Sequence, residues 1–150
     1  MLKWKLLAAA GVLTGALGAG WGYAQQRTAP GFYELRIYKA QPGKRDALAA
    51  RFAGRTAATY ARHGITNVGY FIPEQSDREL GIDADDTFIY IRGYPSKAER
   101  DKRLKAAHDD PEFEEVVLKQ ERDPAARLII KAHNIDMHPD GPYSAIRITE

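Results

Sequence analysis

Charged and aromatic side chains alternate with aliphatic ones in two stretches of this chain. Glu34, Arg36 and Tyr38 occupy every second position of the first stretch. Tyr90 and Arg92 follow the same spacing in the second stretch. Side chains at every second position of a β-strand share one face, so each stretch would present these groups together. Such a face predicts an aromatic-lined pocket in which arginine holds a carboxylate or another anion.

The same charges also have an interpretation that involves no ligand. Glutamate and arginine on neighbouring strands can pair, and a buried charge is tolerated when it is paired. Glu34, Arg36 and Arg92 would then form an ion-pair network that fixes the register between two copies of the chain.

Two more side chains, His63 and Tyr70, are candidates for the pocket. A histidine near tyrosines could act as a general base or as a haem ligand. His63 also precedes Gly64, which predicts the end of a helix, and a histidine at that end interacts favourably with the helix dipole. A structural role at the helix end is therefore the competing interpretation. The predicted ligand-binding residues are Glu34, Arg36, Tyr38, His63, Tyr70, Tyr90 and Arg92.

The sequence predicts no metal site and no catalytic residue. His133 and His138 are five positions apart and would not share a face, as a two-histidine metal site requires. Asp83, Asp85 and Asp86 lack the glycine and the distal glutamate of a calcium-binding loop. Glycine-rich phosphate loops, nucleophile elbows and HExxH sequences do not occur.

The hydrophobic pattern predicts the strands and helices that position the candidate residues. Ser96, followed three positions later by Glu99, is typical of a helix start. The order strand, helix, strand occurs twice, which predicts an α+β fold: a ferredoxin-like split β-α-β sandwich with helices on one face of a four-stranded antiparallel sheet. Strand order 4-1-3-2 places the first and third strands side by side. The predicted strands are 32–38, 65–73, 87–94 and 128–135, and the predicted helices are 46–63, 97–107 and a short one from Asp110-Pro111.

Several short sequences, taken in order, resemble the NIPSNAP family within the dimeric α+β barrel group of ferredoxin-like domains. They are YELR at 33–36, PGK at 42–44, HGI at 63–65, VGYF at 68–71, YPS at 94–96, DPEF at 110–113 and PYS at 142–144. The resemblance spans residues 32–144 and implies a homodimer with a pocket. The chain departs from the family pattern in the acidic insertion 74–86 and in Phe113, where relatives commonly carry Trp. The family has no agreed catalytic motif, so no catalytic residue is carried over.

The alternation also predicts which face of the sheet the helices cover. We expect the aliphatic set, Leu35, Ile37, Ile89 and Ile91, to face the helices, because it is the more apolar one. The polar and aromatic set would then lie on the opposite face. A second copy of the chain would close over it and form the lumen of a dimeric barrel.

The N-terminus has the pattern of a secretory signal. Lys3 and Lys5 precede the apolar run 6–20, and small residues before the site predict cleavage after Ala24. The alternative is an uncleaved membrane anchor, which is the only way in which we expect the chain to contact a membrane. The predicted organisation is a signal peptide at 1–24, a linker at 25–31, a domain at 32–144 and a tail at 145–150, with a periplasmic or secreted location.

The charge balance excludes one class of partner. The chain has 22 Lys and Arg against 20 Asp and Glu, and the two lysines of the leader account for the difference. A neutral mature chain has no net basic field for nucleic acid. The chain has no cysteine, so its fold depends on its core and not on disulfides.

These observations predict an exported, homodimeric NIPSNAP-like protein whose biochemical activity the family does not define. We expect it to be a non-catalytic module that binds a small apolar or anionic ligand, or another macromolecule, without a cofactor. The alternative is an enzyme of the dimeric α+β barrel group. That enzyme would be a cofactor-independent monooxygenase, or a protein that binds or degrades haem.

Overall fold

The computed structural model describes residues 30–140, which form one four-stranded antiparallel sheet with helices packed on one face. The predicted signal peptide and cleavage site, most of the predicted linker and residues 141–150 lie outside the described residues. Within 30–140, no helix has both the length and the apolar character needed to cross a bilayer.

The strands have the order that the sequence predicts. β1 (Phe32–Ala40) lies between β3 (Thr87–Tyr94) and β4 (Ile129–Met137). β2 (Thr66–Phe71) pairs with the other side of β3, and each pairing is antiparallel. The two central strands, β1 and β3, therefore carry most of the predicted binding residues next to each other.

Two helical regions cover the sheet, and each contains a π-helical turn. The first region connects β1 to β2, and the second connects β3 to β4. The first comprises α1 (Arg45–Arg51), the first π turn (Phe52–Thr56) and α2 (Ala57–Arg62). The second comprises α3 (Lys97–His108), α4 (Pro111–Phe113), the second π turn (Glu114–Leu118) and α5 (Lys119–Arg122).

The residues that begin and end these helices are the ones the sequence indicates. The Ser96 hydroxyl accepts a hydrogen bond from the backbone N–H of Glu99 at 3.2 Å, and Asp110 accepts one from Glu112 at 2.9 Å. Gly64 has a φ of 71°, the left-handed conformation that ends a helix and that glycine adopts without a steric penalty. The helices therefore leave and rejoin the sheet at fixed points.

The acidic loop 74–86 is exposed, as predicted, but it contains regular structure. Asp77 and Ile82 exchange two backbone hydrogen bonds of 2.8 Å. Near the end of the loop, the Asp86 carbonyl accepts a hydrogen bond of 2.7 Å from the N–H of Ala40. This loop is thus anchored to the end of β1.

The alternation identifies the two sets of side chains correctly, but the prediction of which set faces the helices is wrong. Tyr38, Phe88 and Tyr90 are buried in the core beneath the helices. The Phe52 ring, from the first π turn, lies with its centroid 4.7 Å from that of Tyr90. The opposite side of the sheet, which we call the open face, carries Leu35, Ile37, Ile89, Ile91 and Ile135, all partly or largely exposed.

The large surface that aromatic rings bury explains why the helices cover the more polar set of side chains. Large rings on the sheet bury more surface than the aliphatic side chains do, and they pack against further rings from the helices. Tyr38 of β1, for example, lies 6.2 Å from Phe52 of the first π turn between ring centroids. Glu34 and Arg92, the two fully buried charges of this set, are tolerated in the core because they pair with each other.

Candidate ligand-binding site

A cavity of about 320 Å³ lies between the helix-covered face of the sheet and both helical regions. Its volume is within the range of small-molecule sites. Six of the seven predicted site residues, all except His63, belong to the helix-covered face, where Tyr70 lies opposite Tyr90. Four of the six line the cavity: Glu34, Arg36, Tyr38 and Arg92. Of the other two, Tyr90 is fully buried next to the cavity. These residues form a site within one chain and not the lumen of a dimer.

Glu34 and Arg92 form a buried ion pair at the polar end of the cavity. Glu34 Oε2 accepts hydrogen bonds from Arg92 Nε at 2.5 Å and from the Tyr94 hydroxyl at 3.0 Å. Both charged residues are less than 5% exposed. The Arg92 guanidinium also lies 5.2 Å from the centre of the Tyr60 ring and 5.8 Å from that of Tyr90. Cation–π contacts of this kind stabilise a desolvated arginine.

Arg36 differs from every other arginine of the cavity because it has no carboxylate partner among residues 30–140. Its Nη2 donates a hydrogen bond of 3.1 Å to the Tyr38 hydroxyl, which lies 2.9 Å from the Tyr90 hydroxyl. The Arg36 Nε is buried and has no hydrogen-bond acceptor in the described part of the chain. This guanidinium can therefore accept an anion without first breaking an ion pair.

The other two arginines of the cavity are neutralised by nearby acids. Arg51 Nη1 donates to Glu121 Oε1 at 2.5 Å. Arg100 Nη2 donates to Asp136 Oδ2 at 3.2 Å. Together with Arg36 and Arg92, they give the lining four arginines against two glutamates, Glu34 and Glu121. The cavity thus has an excess of positive charge.

The buried tyrosines next to these charges remain neutral phenols. Burial raises the pKa of Tyr90 well above the usual tyrosine value, and it raises the pKa of Tyr60 as well. Burial also raises the pKa of Tyr94, beside Glu34. Their hydroxyl groups therefore act as hydrogen-bond donors and acceptors, not as phenolate anions.

The two π turns contribute to the same cavity from opposite helical regions. The first supplies Phe52 and Thr56, and the second supplies Val117 and Leu118. π turns occur frequently at functional sites, because the extra residue changes the direction of the side chains. Thr56 is 1% exposed, and its hydroxyl has no hydrogen-bond partner within residues 30–140.

His108 lines the cavity from the end of α3. Although the residue as a whole is exposed, its ring stacks on Phe113 at a centroid distance of 5.3 Å. Desolvation of the ring and the positive charge of Arg92 lower the pKa of His108. The side chain is therefore neutral at pH 7 and adds no charge to the cavity.

His63 lies outside the cavity, where it has the structural role that was the competing interpretation. Its Nε2 is 2.9 Å from Asp110 Oδ2, so it connects the end of α2 to the start of α4. His63 and Arg62 lower the pKa of the Asp110 carboxyl. His63 does not fit as a haem ligand in this cavity, because its nitrogen is engaged by that carboxylate.

Tyr70 packs near the cavity but does not line it. Its ring stacks at 6.1 Å from that of Phe88, and its hydroxyl donates to Asn67 Oδ1 at 2.6 Å. Tyr70 belongs instead to a neighbouring apolar pocket of about 250 Å³, with Phe52 and Phe71. The structure therefore does not bring His63 and Tyr70 into the lining of this cavity with the other predicted residues.

Sequence reasoning also missed cavity residues on the helices, among them Arg51, Thr56 and Arg100. Thr56 lies on the stripe at steps of three and four that predicts the buried side of the first helix, and this spacing was the signal that could have found it. No comparable signal exists for Arg100, because α3 is mostly charged around its circumference. Within 30–140, there is no group of three or more side chains suited to hold a metal ion.

Comparison with known proteins gives one family match. The NIPSNAP family profile matches residues 33–129, from β1 to the start of β4. Among curated proteins, none matches this chain significantly.

Solved structures with this fold include several NIPSNAP proteins. One from Agrobacterium tumefaciens strain C58, of unknown function, is 26% identical with a TM-score of 0.61, and covers 77% of this chain and 93% of its own. A second NIPSNAP protein from that organism is 22% identical with a TM-score of 0.62, and the match covers 77% of this chain and 98% of that protein. A NIPSNAP-like domain protein from Burkholderia xenovorans is 22% identical with a TM-score of 0.57, and the match covers 73% of this chain and 85% of that protein.

Proposed function

This chain belongs to the NIPSNAP family, and from that premise we propose that it binds a small anionic molecule in the cavity between its sheet and its helices. The observation that carries the proposal is Arg36, a cation with a buried Nε and no carboxylate partner in the described part of the chain. A guanidinium in such a position binds a carboxylate more strongly than an exposed one does, because less water competes.

The remainder of the lining favours an anion that has an apolar body. Phe52, Leu104 and Phe113 contribute hydrocarbon surface, while the arginines contribute the positive charge. A few polar groups in a largely apolar cavity give orientation and specificity to a small ligand. Binding as proposed requires no cofactor, since Arg36 itself supplies the charge.

We expect Arg36→Gln to weaken the binding of benzoate, an aromatic carboxylate small enough for the cavity, by about tenfold or more. A hydrogen bond to a charged group contributes about 1.5–3 kcal/mol, and 1.4 kcal/mol corresponds to a factor of ten. Isothermal titration calorimetry of the purified mature chain measures the change. Arg36 pairs with no acid within residues 30–140, so its replacement leaves no described carboxylate unpaired.

The matched control is Arg127→Gln, which removes the same charge from an exposed position outside the cavity. This variant should bind benzoate as the native chain does. Equal affinities of the native chain and Arg36→Gln for benzoate would show that Arg36 does not bind the ligand. Failure of the native chain to bind aromatic carboxylates would overturn the proposed function.

We also propose that the protein is a homodimer, with the open face as its interface. The support is the apolar character of that face, which the helices of the same chain leave uncovered. Ile135 is 47% exposed there, beside Leu35 in the register of β1 and β4. Contiguous apolar patches of this kind are characteristic of protein interfaces. A second copy fits, because the same face is available on both and a two-fold axis pairs it with itself.

We propose that the mature chain acts outside the cytoplasm after cleavage following Ala24. Intact-mass spectrometry of chain purified from the periplasm or medium of an expressing Gram-negative host should give a first residue of Gln25. Ala24→Tyr, which places a bulky residue where the peptidase requires a small one, should yield the uncleaved chain in the membrane fraction. Native chain that retains residues 1–24 would instead support the anchor.

A further inference from the structure

In the Glu34 carboxylate, one oxygen accepts two hydrogen bonds and the other accepts none from the described residues. Oε2 accepts hydrogen bonds from Arg92 and Tyr94, as described above. Oε1 is buried and accepts no hydrogen bond from any group of residues 30–140. Arg100 Nη1 lies 3.5 Å from Oε1, a distance longer than that of a charge-assisted hydrogen bond. Because Glu34 is 1% exposed and lines the cavity, Oε1 is an acceptor that a bound molecule could use.

Arg36 Nε presents the complementary case, a buried donor without an acceptor in the described part of the chain. Leaving a buried polar group unpaired is costly, and binding sites are a common reason that such groups persist. Two unpaired groups of opposite hydrogen-bonding character thus lie in the lining of one cavity.

We infer that the ligand carries both an anionic group for Arg36 and a hydrogen-bond donor, a hydroxyl or an N–H, for Glu34. This inference rests on the proposed function and specifies the chemical class of ligand for the same site. Glu34 and Arg36 are two residues apart on one face of β1, so their backbones are separated by roughly 7 Å along the strand. A rigid hydroxy acid with its two polar groups at opposite ends of a ring matches that spacing.

The tyrosine chain beside Arg36 is consistent with this arrangement of ligand groups. The Tyr38 hydroxyl accepts from Arg36 and can therefore donate to Tyr90, which leaves the other guanidinium donors for a carboxylate. The aromatic rings of Phe52 and Phe113 line the same cavity as Glu34 and Arg36. A flat ring fits this composition better than a flexible chain, because it loses less conformational entropy on binding.

The test compares three ligands with the native mature chain by isothermal titration calorimetry. They are 4-hydroxybenzoate, which has both groups, 4-methylbenzoate, in which a methyl of similar size replaces the hydroxyl, and 4-hydroxybenzamide, which lacks the anion. We expect 4-hydroxybenzoate to bind about tenfold to a hundredfold more tightly than either of the others, since each lacks one charge-assisted hydrogen bond.

Glu34→Gln tests whether Glu34 is the acceptor. Glutamine has the same shape and keeps an oxygen for Arg92 and Tyr94, but it turns the oxygen facing the ligand into an amide donor. The preference for 4-hydroxybenzoate over 4-methylbenzoate should fall to about threefold or less. A role of Glu34 in folding alone would change both affinities together and leave their ratio unaltered. The ligand series with the native chain needs no variant, so the inference remains testable if this variant does not fold.

The outcomes separate the inference from the proposed function. Equal affinities for 4-hydroxybenzoate and 4-methylbenzoate would overturn the donor requirement, with Oε1 served by water, while the anion site at Arg36 would stand. Absence of binding by benzoate and all three of these ligands would overturn the proposed function itself. Tight binding of 4-hydroxybenzamide would show that the ligand needs no anionic group.

Discussion

Replacing Glu34 by alanine is expected to lower the free energy of unfolding by about 3–5 kcal/mol, the cost of leaving one member of a buried ion pair without its partner. Arg92 is 4% exposed beneath the helices. In the variant it would lose its only carboxylate partner among the described residues. The Tyr94 hydroxyl would lose its acceptor as well. Urea unfolding followed by circular dichroism measures the change in midpoint and in extrapolated free energy.

The matched control for this loss is Glu115→Ala. Glu115 pairs with Lys119 at 2.8 Å on the exposed side of the second helical region, where both side chains are more than 60% exposed. Exposed pairs of this kind contribute about 0–1 kcal/mol, so this variant should unfold nearly as the native chain does. A loss at Glu34→Ala no larger than that of the control would mean that the Glu34–Arg92 pair is not desolvated as the structure shows. Glu34→Gln should be less destabilised than Glu34→Ala, because glutamine still accepts from Arg92.

A charge at the centre of the open face is expected to abolish the proposed homodimer. Ile91 lies on the central strand β3 of that face, opposite Leu35 of β1. In Ile91→Asp, two-fold symmetry would bring two unpaired carboxylates into one apolar interface, which costs several kcal/mol in association. We expect the dissociation constant of the dimer to rise more than a hundredfold, a change that corresponds to about 2.8 kcal/mol. Sedimentation velocity over a range of concentrations gives this constant directly.

Two further variants make the dimer experiment decisive. Ala106→Asp adds the same charge at an exposed position of α3 and should leave the dimer intact. Ile135→Asp, at a position already 47% exposed, is the second interface variant should Ile91→Asp fail to fold. A native chain that sediments as a monomer at all concentrations would overturn the homodimer. Dimers of Ile91→Asp and Ile135→Asp as stable as the native one would place the interface elsewhere.

The two experiments address opposite faces of one sheet, so Tyr90, on the helix-covered face, does not serve to test the dimer. If the polar and aromatic set lined a shared lumen, as the alternation predicts, a charge at Tyr90 would disrupt the dimer. Tyr90 is fully buried within the chain, among Phe52, Tyr38 and Tyr70. Tyr90→Asp would therefore disrupt the core of the monomer, and its effect would say nothing about association.

The sequence by itself determined the elements of the fold, their order and the family. Period-two alternation identified β1 and β3 and placed Glu34, Arg36 and Tyr38 together, because side-chain direction in a strand depends only on position along the backbone. Gly64 and the caps at Ser96 and Asp110 located helix ends for a similarly local reason. Four strands and two helix connections in this order leave few possible topologies, so the ferredoxin-like sheet followed.

Only the tertiary structure decided which face of the sheet the helices cover, and hence where the candidate site lies. Alternation divides side chains into two sets but carries no information about what packs on each. Here the burial of aromatic rings, together with the neutralisation of Glu34 by Arg92, outweighed the simpler rule that the aliphatic set goes inside.

The tertiary structure alone also distinguished Arg36 from the other arginines. Arg51 and Arg100 reach the cavity from separate helical regions, and each is neutralised by an acid distant in the sequence, Glu121 for Arg51 and Asp136 for Arg100. Whether a charge is paired depends on contacts between residues distant in the chain, and the sequence pattern contains no record of such contacts. For this reason the strand residues of the site were predictable, whereas its helix residues, and the one arginine among the described lining residues that has no carboxylate partner, became evident only from the packed structure.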